Sequence, residues 1–230
     1  MFGRPAVVHV EPDFWGYAQQ MSGGDPSSVE VRVNTAPGCA DLPNDLSGFG
    51  RCWARMARAI APMSLIGFHA SRWAGAPADM IAFLTGAGAT DTDFIGMDPL
   101  DRDAGCFEAH VDPQCQRNDG PWYWDETNTT SSNFHEYLAF SRQISEGLGR
   151  PIIWWQIPFG VPSDTPGGTA GRYRDNRVRY FFAHIDELVA AGGVAAAFGT
   201  GAGNQTYITT DDGQFERAVT GYYAAPVALP

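Results

Sequence analysis

Five short apolar runs alternate with helical patterns, and this alternation constrains the fold of the chain more than any other feature. Each run is nearly continuous in apolar character, as is typical of strands buried on both faces. The runs are Ala6 to Val10, Ser64 to Phe68, Asp93 to Met97, Ile152 to Ile157 and Val194 to Phe198. The helical patterns are Gly48 to Ile60, Pro77 to Leu84, Asn133 to Leu148 and Asp175 to Ala190. Strand alternating with helix predicts parallel strands joined by right-handed crossovers.

The predicted fold class is α/β, a parallel (β/α) barrel-type architecture of about five βα units. A complete TIM barrel has eight units in about 250 residues, so we expect a partial TIM-like barrel. Residues 1–230 are expected to form a single barrel-like catalytic domain, an N-terminally truncated fragment whose open sheet edges allow self-association. The alternative is a small doubly wound sheet. No GxGxxG motif follows a strand, so a dinucleotide site has no support.

The charge balance of the chain limits the kinds of binding partner that we expect. The formal net charge is −11, from 15 basic and 26 acidic residues, so polyanions are repelled and neither nucleic acid nor an anionic membrane is an expected partner. Every basic side chain apart from histidine is arginine. The chain therefore cannot form a Schiff base through lysine or bind phosphate with a P-loop lysine. We expect no cofactor.

Cysteine usage suggests an oxidising compartment. The four cysteines are spaced too irregularly for a zinc knuckle, and we expect the pairs Cys39–Cys52 and Cys106–Cys115. Sequons at Asn128 and Asn204 are compatible with export. We expect an extracellular or exported protein whose signal would lie upstream of this chain.

Carboxylates follow two of the strands, where parallel α/β proteins carry their working residues. Glu11 and Asp13 follow the first run, and Asp98 and Asp103 follow the third. Cleavage of an acetal needs one carboxyl group that is protonated and another that is ionised. These four residues are therefore the candidate catalytic residues, although an aspartate in such a position can equally cap the turn that follows it.

Aromatic and polar side chains at the strand ends indicate a sugar-binding surface, because pyranose rings stack on flat aromatic faces. A core role competes with this interpretation for each tryptophan. His69 could donate to a substrate, act as a base or ligate a metal, but only His9 is a plausible histidine partner and we expect no metal. The candidate substrate-binding residues are Trp15, His69, Trp73, Trp154, Trp155 and Gln156.

The segment Glu11-Pro12-Asp13 at the end of a buried strand resembles the (β/α)-barrel glycoside hydrolases. In their large retaining clan the acid/base glutamate ends strand four and the nucleophile ends strand seven. If the strands here correspond to four through eight, Glu11 and Gln156 occupy those stations. Gln156 cannot be a nucleophile, and Val10 stands where that clan has asparagine, so its retaining mechanism does not carry over.

A second resemblance is to the family-six cellulases. Their strand-ending Glu-Pro-Asp and acid-bearing Asp-Arg-Asp motifs are similar to residues 11–13 and 101–103, in reversed order along the chain. This likeness implies that Asp103 is the proton donor and Asp13 a supporting carboxylate.

Three functions follow from these patterns. The first is a glycoside hydrolase that acts on a poly- or oligosaccharide by carboxylate acid/base catalysis. The second is a non-catalytic carbohydrate-binding protein on a degenerate barrel, which Gln156 favours. The third is a metal-dependent hydrolase that uses His9, His69 and Asp98.

Overall fold

One five-stranded sheet runs through the protein in the strand order β1-β2-β3-β4-β5. The computed structural model describes residues 5–99, 110, 113–116, 124–159, 177–199 and 207–228. The strands are β1 (Val7–His9), β2 (Leu65–His69), β3 (Phe94–Met97), β4 (Ile152–Ile157) and β5 (Gly193–Phe198). All five are parallel, so the predicted α/β, (β/α) barrel-type fold class is confirmed.

Seven helices lie in the described ranges of the chain. They are α1 (Pro12–Met21), α2 (Leu46–Ile60), α3 (Pro77–Ala87), α4 (Phe134–Leu148), α5 (Arg177–Ala183), α6 (Ile185–Ala190) and α7 (Gln214–Ala224). Short 3-10 helices cover Pro26–Ser28, Arg72–Ala74, Ala89–Asp91 and Pro113–Cys115. None of the helices among the described residues is long and apolar enough to cross a membrane.

The chain divides into two compact units. The first contains Met1–Met97 and Ser141–Ile153, and the second contains Asp98–Phe140 and Trp154–Pro230. In the first unit β1 pairs with β2, and β2 pairs with β3, with Val8 opposite Ile66 and Phe68 opposite Ile95. Because side chains alternate along a strand, these residues share one face of the sheet. On that face Trp15 of α1 stacks on Phe68, with ring centroids 4.0 Å apart.

Local signals explain where the helices of the first unit begin and end. Pro12 occupies the start of α1, where a missing N–H has no cost. The Asp45 side chain accepts the Gly48 amide at 2.9 Å and so caps α2. Gly88 ends α3 in the left-handed region, with φ 94°.

In the second unit a ring stack joins the start of α4 to α5. Tyr180 stacks on Phe134 with centroids 3.7 Å apart, and on His184 at 4.0 Å. The hydroxyl of Tyr180 donates to Glu187 at 2.7 Å and accepts from Asn128 at 3.2 Å. Burial and the hydrogen bond to Glu187 raise the pKa of Tyr180 to about 12.

The helix predicted over Asp175 to Ala190 is wrong in one respect. Two separate helices, α5 and α6, cover its described residues, because the backbone at His184 leaves the helical region with φ −124° and ψ 40°. The imidazole of His184 contacts the Glu187 carboxylate at 3.0 Å. This contact links the residue at the break to the first turn of α6. The apolar residues recur at three- and four-residue steps on both sides of His184, so the sequence pattern alone does not show where one helix ends and the next begins.

Helix α1 was not predicted, and it changes the setting of the residues that follow Glu11. The sequence placed Glu11 and Asp13 directly after the first strand, and no helix was predicted there. Pro12 instead begins a ten-residue helix whose buried side is formed by Trp15, Gly16, Ala18 and Gln19. Helix α7 was likewise not predicted, although Phe215, Val219 and Tyr222 recur at helical spacing; none of its residues is buried.

The predicted disulfide Cys39–Cys52 is confirmed, with its Cα atoms 5.6 Å apart. It packs with Val33 in a small apolar cluster beside α2. Cys115 is also disulfide-bonded. Its predicted partner, Cys106, lies outside the described residues.

Candidate active site at the carboxyl ends of the strands

In the first unit, the predicted site residues Glu11, Asp13 and His69 lie at or just after the carboxyl ends of β1 and β2. His9 is the last residue of β1 and pairs in register with Gly67 of β2, the strand that ends at His69. Glu11 is exposed and lies between β1 and α1 with backbone φ 18° and ψ 95°. Asp13 follows it in the first turn of α1 and is also exposed.

Two histidines lie on the sheet face opposite α1. His9 and His69 alternate with Val8 and Phe68, the residues that share the face covered by this helix. The Nε2 atom of His9 lies 3.0 Å from the Nδ1 atom of His69, within hydrogen-bond distance. His69 is only 2% exposed, whereas His9 is partly exposed. The sequence named His69 as a site residue but treated His9 only as its possible partner.

A glycine on β3 makes room for the His9 ring. A Cβ atom added at Gly96 would lie 2.2 Å from Nε2 of His9, which is far inside van der Waals contact. The ring therefore packs directly on the backbone of β3. Two features of the sequence could have indicated this contact. His9 is a polar residue within an otherwise apolar strand, and the next two strands of the sheet carry the glycines Gly67 and Gly96.

Trp15 and Trp73 follow β1 and β2, and the structure gives them different surroundings. Trp15 is 1% exposed and packs between Phe14, Phe49 and Phe68. A ring so deeply buried offers no face to a sugar, so the structure places Trp15 in the core. Trp73 is 37% exposed, and its ring lies 4.8 Å from that of Tyr17, which is 59% exposed. These two rings form a solvent-accessible aromatic surface.

In the second unit, Asp98 directly follows β3 and is 7% exposed. The hydroxyl of Tyr137 donates to its backbone oxygen at 2.8 Å, which fixes the chain at this point. Tyr137 was not predicted as a site residue. The other candidate of this loop, Asp103, lies outside the described residues, as do Asp101 and Trp122.

The tryptophan pair on β4 is divided between a core position and a partly exposed one. Trp154 is 1% exposed and meets the edge of Phe181 on α5, so it belongs to the core. Trp155 and Gln156 are each partly exposed. Gln156 has φ 51°, an uncommon conformation for a residue with a side chain. The end of β4 is therefore irregular at Gln156, the residue that the resemblance to retaining barrels aligns with their nucleophile.

No group of three or more His, Cys, Asp or Glu side chains that could hold a metal ion is found among the described residues. His9 and His69 bring two ring nitrogens together, but they face each other at hydrogen-bond distance. A nitrogen that is engaged in this way must first give up its partner before it can ligate a metal.

Comparisons with known proteins leave the family open. No protein-family model matches the chain, and no curated protein matches it. Solved structures that align with it include a protein assigned as a dihydrodipicolinate synthetase from Pseudomonas aeruginosa, with TM-score 0.30 and 12% identity. That alignment covers 80% of this chain and 64% of the other.

A second aligned structure is 2,3-dimethylmalate lyase, a member of the PEP mutase/isocitrate lyase superfamily. It has TM-score 0.24 and 13% identity, and the alignment covers 97% of this chain and 83% of that one. Neither name is that of a glycoside hydrolase. Scores this low do not relate the activities of these proteins to the present chain.

Proposed function

We propose that this chain is a carbohydrate-active protein of the glycoside hydrolase type, in which carboxylates at the strand ends perform acid/base catalysis. The observation that carries the proposal is the position of Glu11. It is an exposed carboxylate directly after a parallel strand, at the turn into α1 and two residues beyond the histidine pair. A carboxylate in this position can reach a substrate at the edge of the sheet.

The aromatic surface of Tyr17 and Trp73 supports a sugar as the substrate. Both rings are exposed and lie in segments that follow the strands ending at His9 and His69. A flat apolar ring beside polar groups matches the alternating faces of a pyranose. The net charge of −11 also favours a neutral substrate over a polyanion.

The reaction would proceed with inversion. One carboxylic acid protonates the glycosidic oxygen while a second carboxylate takes a proton from the attacking water. Glu11 is the candidate for the first of these groups, and Asp13, which follows it in the same unit, is a candidate for the second. Asp98 and Asp103 remain predictions from the sequence for either role. Gln156 offers an amide where a retaining barrel would carry its nucleophile, so no covalent glycosyl intermediate is expected at that position.

Hydrolysis of a panel of soluble oligosaccharides, followed as release of reducing sugar, tests the proposal. Glu11→Gln and Asp103→Asn should each lower turnover by a factor of about 10² or more and leave sugar binding largely intact, since proton transfer is lost while the stacking surface stays. Glu30→Gln is the matched control, because Glu30 lies outside the strand ends. Proton magnetic resonance of the first-formed anomer should show inversion, and net retention would refute the mechanism.

The same panel separates the other two functions. Binding without hydrolysis would identify a non-catalytic carbohydrate-binding protein, the alternative that Gln156 favours. Hydrolysis that a chelator abolishes would identify a metal-dependent enzyme. If the wild-type protein neither binds nor cleaves any member of the panel, the proposed function is wrong.

A further inference from the structure

We propose that His9 is a substrate-facing residue of this site and that the buried His69 is its positioning residue. The inference rests on the proposed function for the nature of the substrate, but the behaviour of the histidine pair can be measured in the free protein. Sequence patterns alone pointed to His69 as the contact residue. In the structure His69 is 2% exposed while His9 remains partly accessible, which supports His9 as the residue that reaches a substrate.

The hydrogen bond between the rings supplies the positioning. Nε2 of His9 and Nδ1 of His69 lie 3.0 Å apart, and a hydrogen bond at this distance needs one protonated and one unprotonated nitrogen. The contact therefore couples the two rings: when one of the facing nitrogens carries the shared proton, the other must be unprotonated. The two rings together hold at most one positive charge as long as the contact is kept.

Packing holds His9 in place from the other side. The Gly96 backbone lies directly against the ring, where any side chain would collide with it. His9 also lies beside Phe94, with ring centroids 6.3 Å apart and an angle of 53°. The His9 ring is thus held between the backbone of β3 and the ring of His69, two residues before Glu11.

Other ionisable residues stand before or after the three strands in the sequence and enter any pH profile. They are Glu11 and Asp13 after β1, Arg72 after β2, and Asp93 and Asp98 at the two ends of β3. The Asp93 carboxylate accepts the Ile66 amide at 2.8 Å and a hydrogen bond from Arg58 at 3.0 Å, so it is engaged at the opposite end of the strand.

Nitrogen-15 magnetic resonance of the histidine rings tests the pair directly. In the wild-type protein, one of the two facing nitrogens, Nε2 of His9 and Nδ1 of His69, should be protonated and the other unprotonated, with a proton-mediated coupling between them. In His69→Phe, which removes the hydrogen bond, the coupling should vanish and the tautomer populations of His9 should change. His69→Gln, which can still donate or accept a hydrogen bond, should return the tautomer populations of His9 part of the way to those of the wild-type protein.

Two further variants keep the test decisive if His69→Phe does not fold. Gly96→Ala should displace the His9 ring and weaken the contact without altering either histidine, and His135→Gln in the other unit should leave the spectrum of the pair unchanged. An unaltered His9 tautomer in both His69→Phe and Gly96→Ala would overturn the inference.

Activity distinguishes this inference from the proposed function. If oligosaccharides are hydrolysed, misplacement of His9 in His69→Phe should lower kcat by a factor on the order of 10² with a smaller change in KM, and His69→Gln should recover a fraction of the loss. If the wild-type protein hydrolyses no oligosaccharide, the proposed function is wrong. The magnetic resonance measurement still shows whether His9 and His69 are hydrogen-bonded.

Discussion

At the scale of single residues, exposure separates tryptophans that the sequence could not separate. Trp15 and Trp73 both follow strands of the same sheet, yet one is 1% and the other 37% exposed. The difference arises because Trp15 lies on the inner side of α1, a helix that turns its segment back onto Phe68. A residue's place after a strand does not reveal which way the next helix faces.

We expect the two tryptophans to respond oppositely to truncation. Trp15→Ala should lower the free energy of unfolding by about 3–5 kcal/mol, because a large buried ring is lost. Trp73→Ala should cost far less stability and should weaken oligosaccharide binding. Urea unfolding and calorimetric titration of the same variants check both effects. Equal losses of stability, or sugar affinity unchanged in Trp73→Ala, would contradict the assignment.

At the scale of elements, the close approach of α2 and α3 restricts which residues can stand where the two helices touch. A Cβ atom at Gly50 of α2 would lie 2.0 Å from the backbone oxygen of Ala87, the last residue of α3. Helix propensity alone would favour alanine at this position by about 1 kcal/mol. The contact of the two helices outweighs that preference, because a backbone atom cannot turn aside as a side chain can.

Gly50→Ala should therefore destabilise the protein by about 1–3 kcal/mol through overpacking. Gly221→Ala in α7 is the matched control, since no atom lies within 4 Å of its added Cβ. That variant should be neutral or stabilised by up to about 1 kcal/mol. Thermal and urea unfolding compare the two, and a stabilised Gly50→Ala would show that α2 and α3 do not meet as described.

The junction of α5 and α6 depends on a carboxylate. Glu187 accepts from Tyr180 at 2.7 Å and from His184 at 3.0 Å, and His135 lies 3.3 Å away. Partial burial acts to raise the pKa of Glu187, but the hydrogen bonds from Tyr180 and His184 and the nearby imidazoles lower it overall. A carboxylate with a lowered pKa stabilises the folded state above its unfolded pKa, and this contribution is lost as the pH falls through the folded value.

The stability difference between the wild-type protein and Glu187→Gln should consequently depend on pH. It should be fully present at neutral pH and should shrink as the pH falls below the ordinary glutamate value of 4.5. Urea unfolding at a series of pH values from neutral to acid measures it. A difference that is independent of pH would mean that the charge on Glu187 does not contribute.

At the scale of the whole molecule, the sheet has two terminal strands among those described. β1 and β5 stand at the ends of the strand order. Val7 of β1 is 59% exposed, and Val194 begins a run of β5 in which four consecutive residues are exposed. Exposed apolar residues on a terminal strand favour pairing with another chain.

We expect the protein to self-associate through these edges. Sedimentation velocity should show a concentration-dependent mass, and a lysine at each edge, Val7→Lys with Val194→Lys, should shift the protein toward the monomer. Tyr223→Lys changes a residue that is 73% exposed on α7 and not on a strand, so it serves as the control. A monomer with a single cooperative unfolding transition at all concentrations would contradict this prediction.

The sequence by itself determined the order and the parallel direction of the five strands, because short apolar runs and amphipathic stripes record which surfaces are buried. It also indicated the Cys39–Cys52 pair. The burial of Trp15 and Trp154, the break at His184 and the contact between His9 and His69 were decided only by the tertiary structure. The two histidines are 60 residues apart, and they meet because two strands pair in one register and a glycine on a third strand leaves room for a ring. Contacts of that kind depend on three-dimensional packing between distant segments, which local periodicity does not encode.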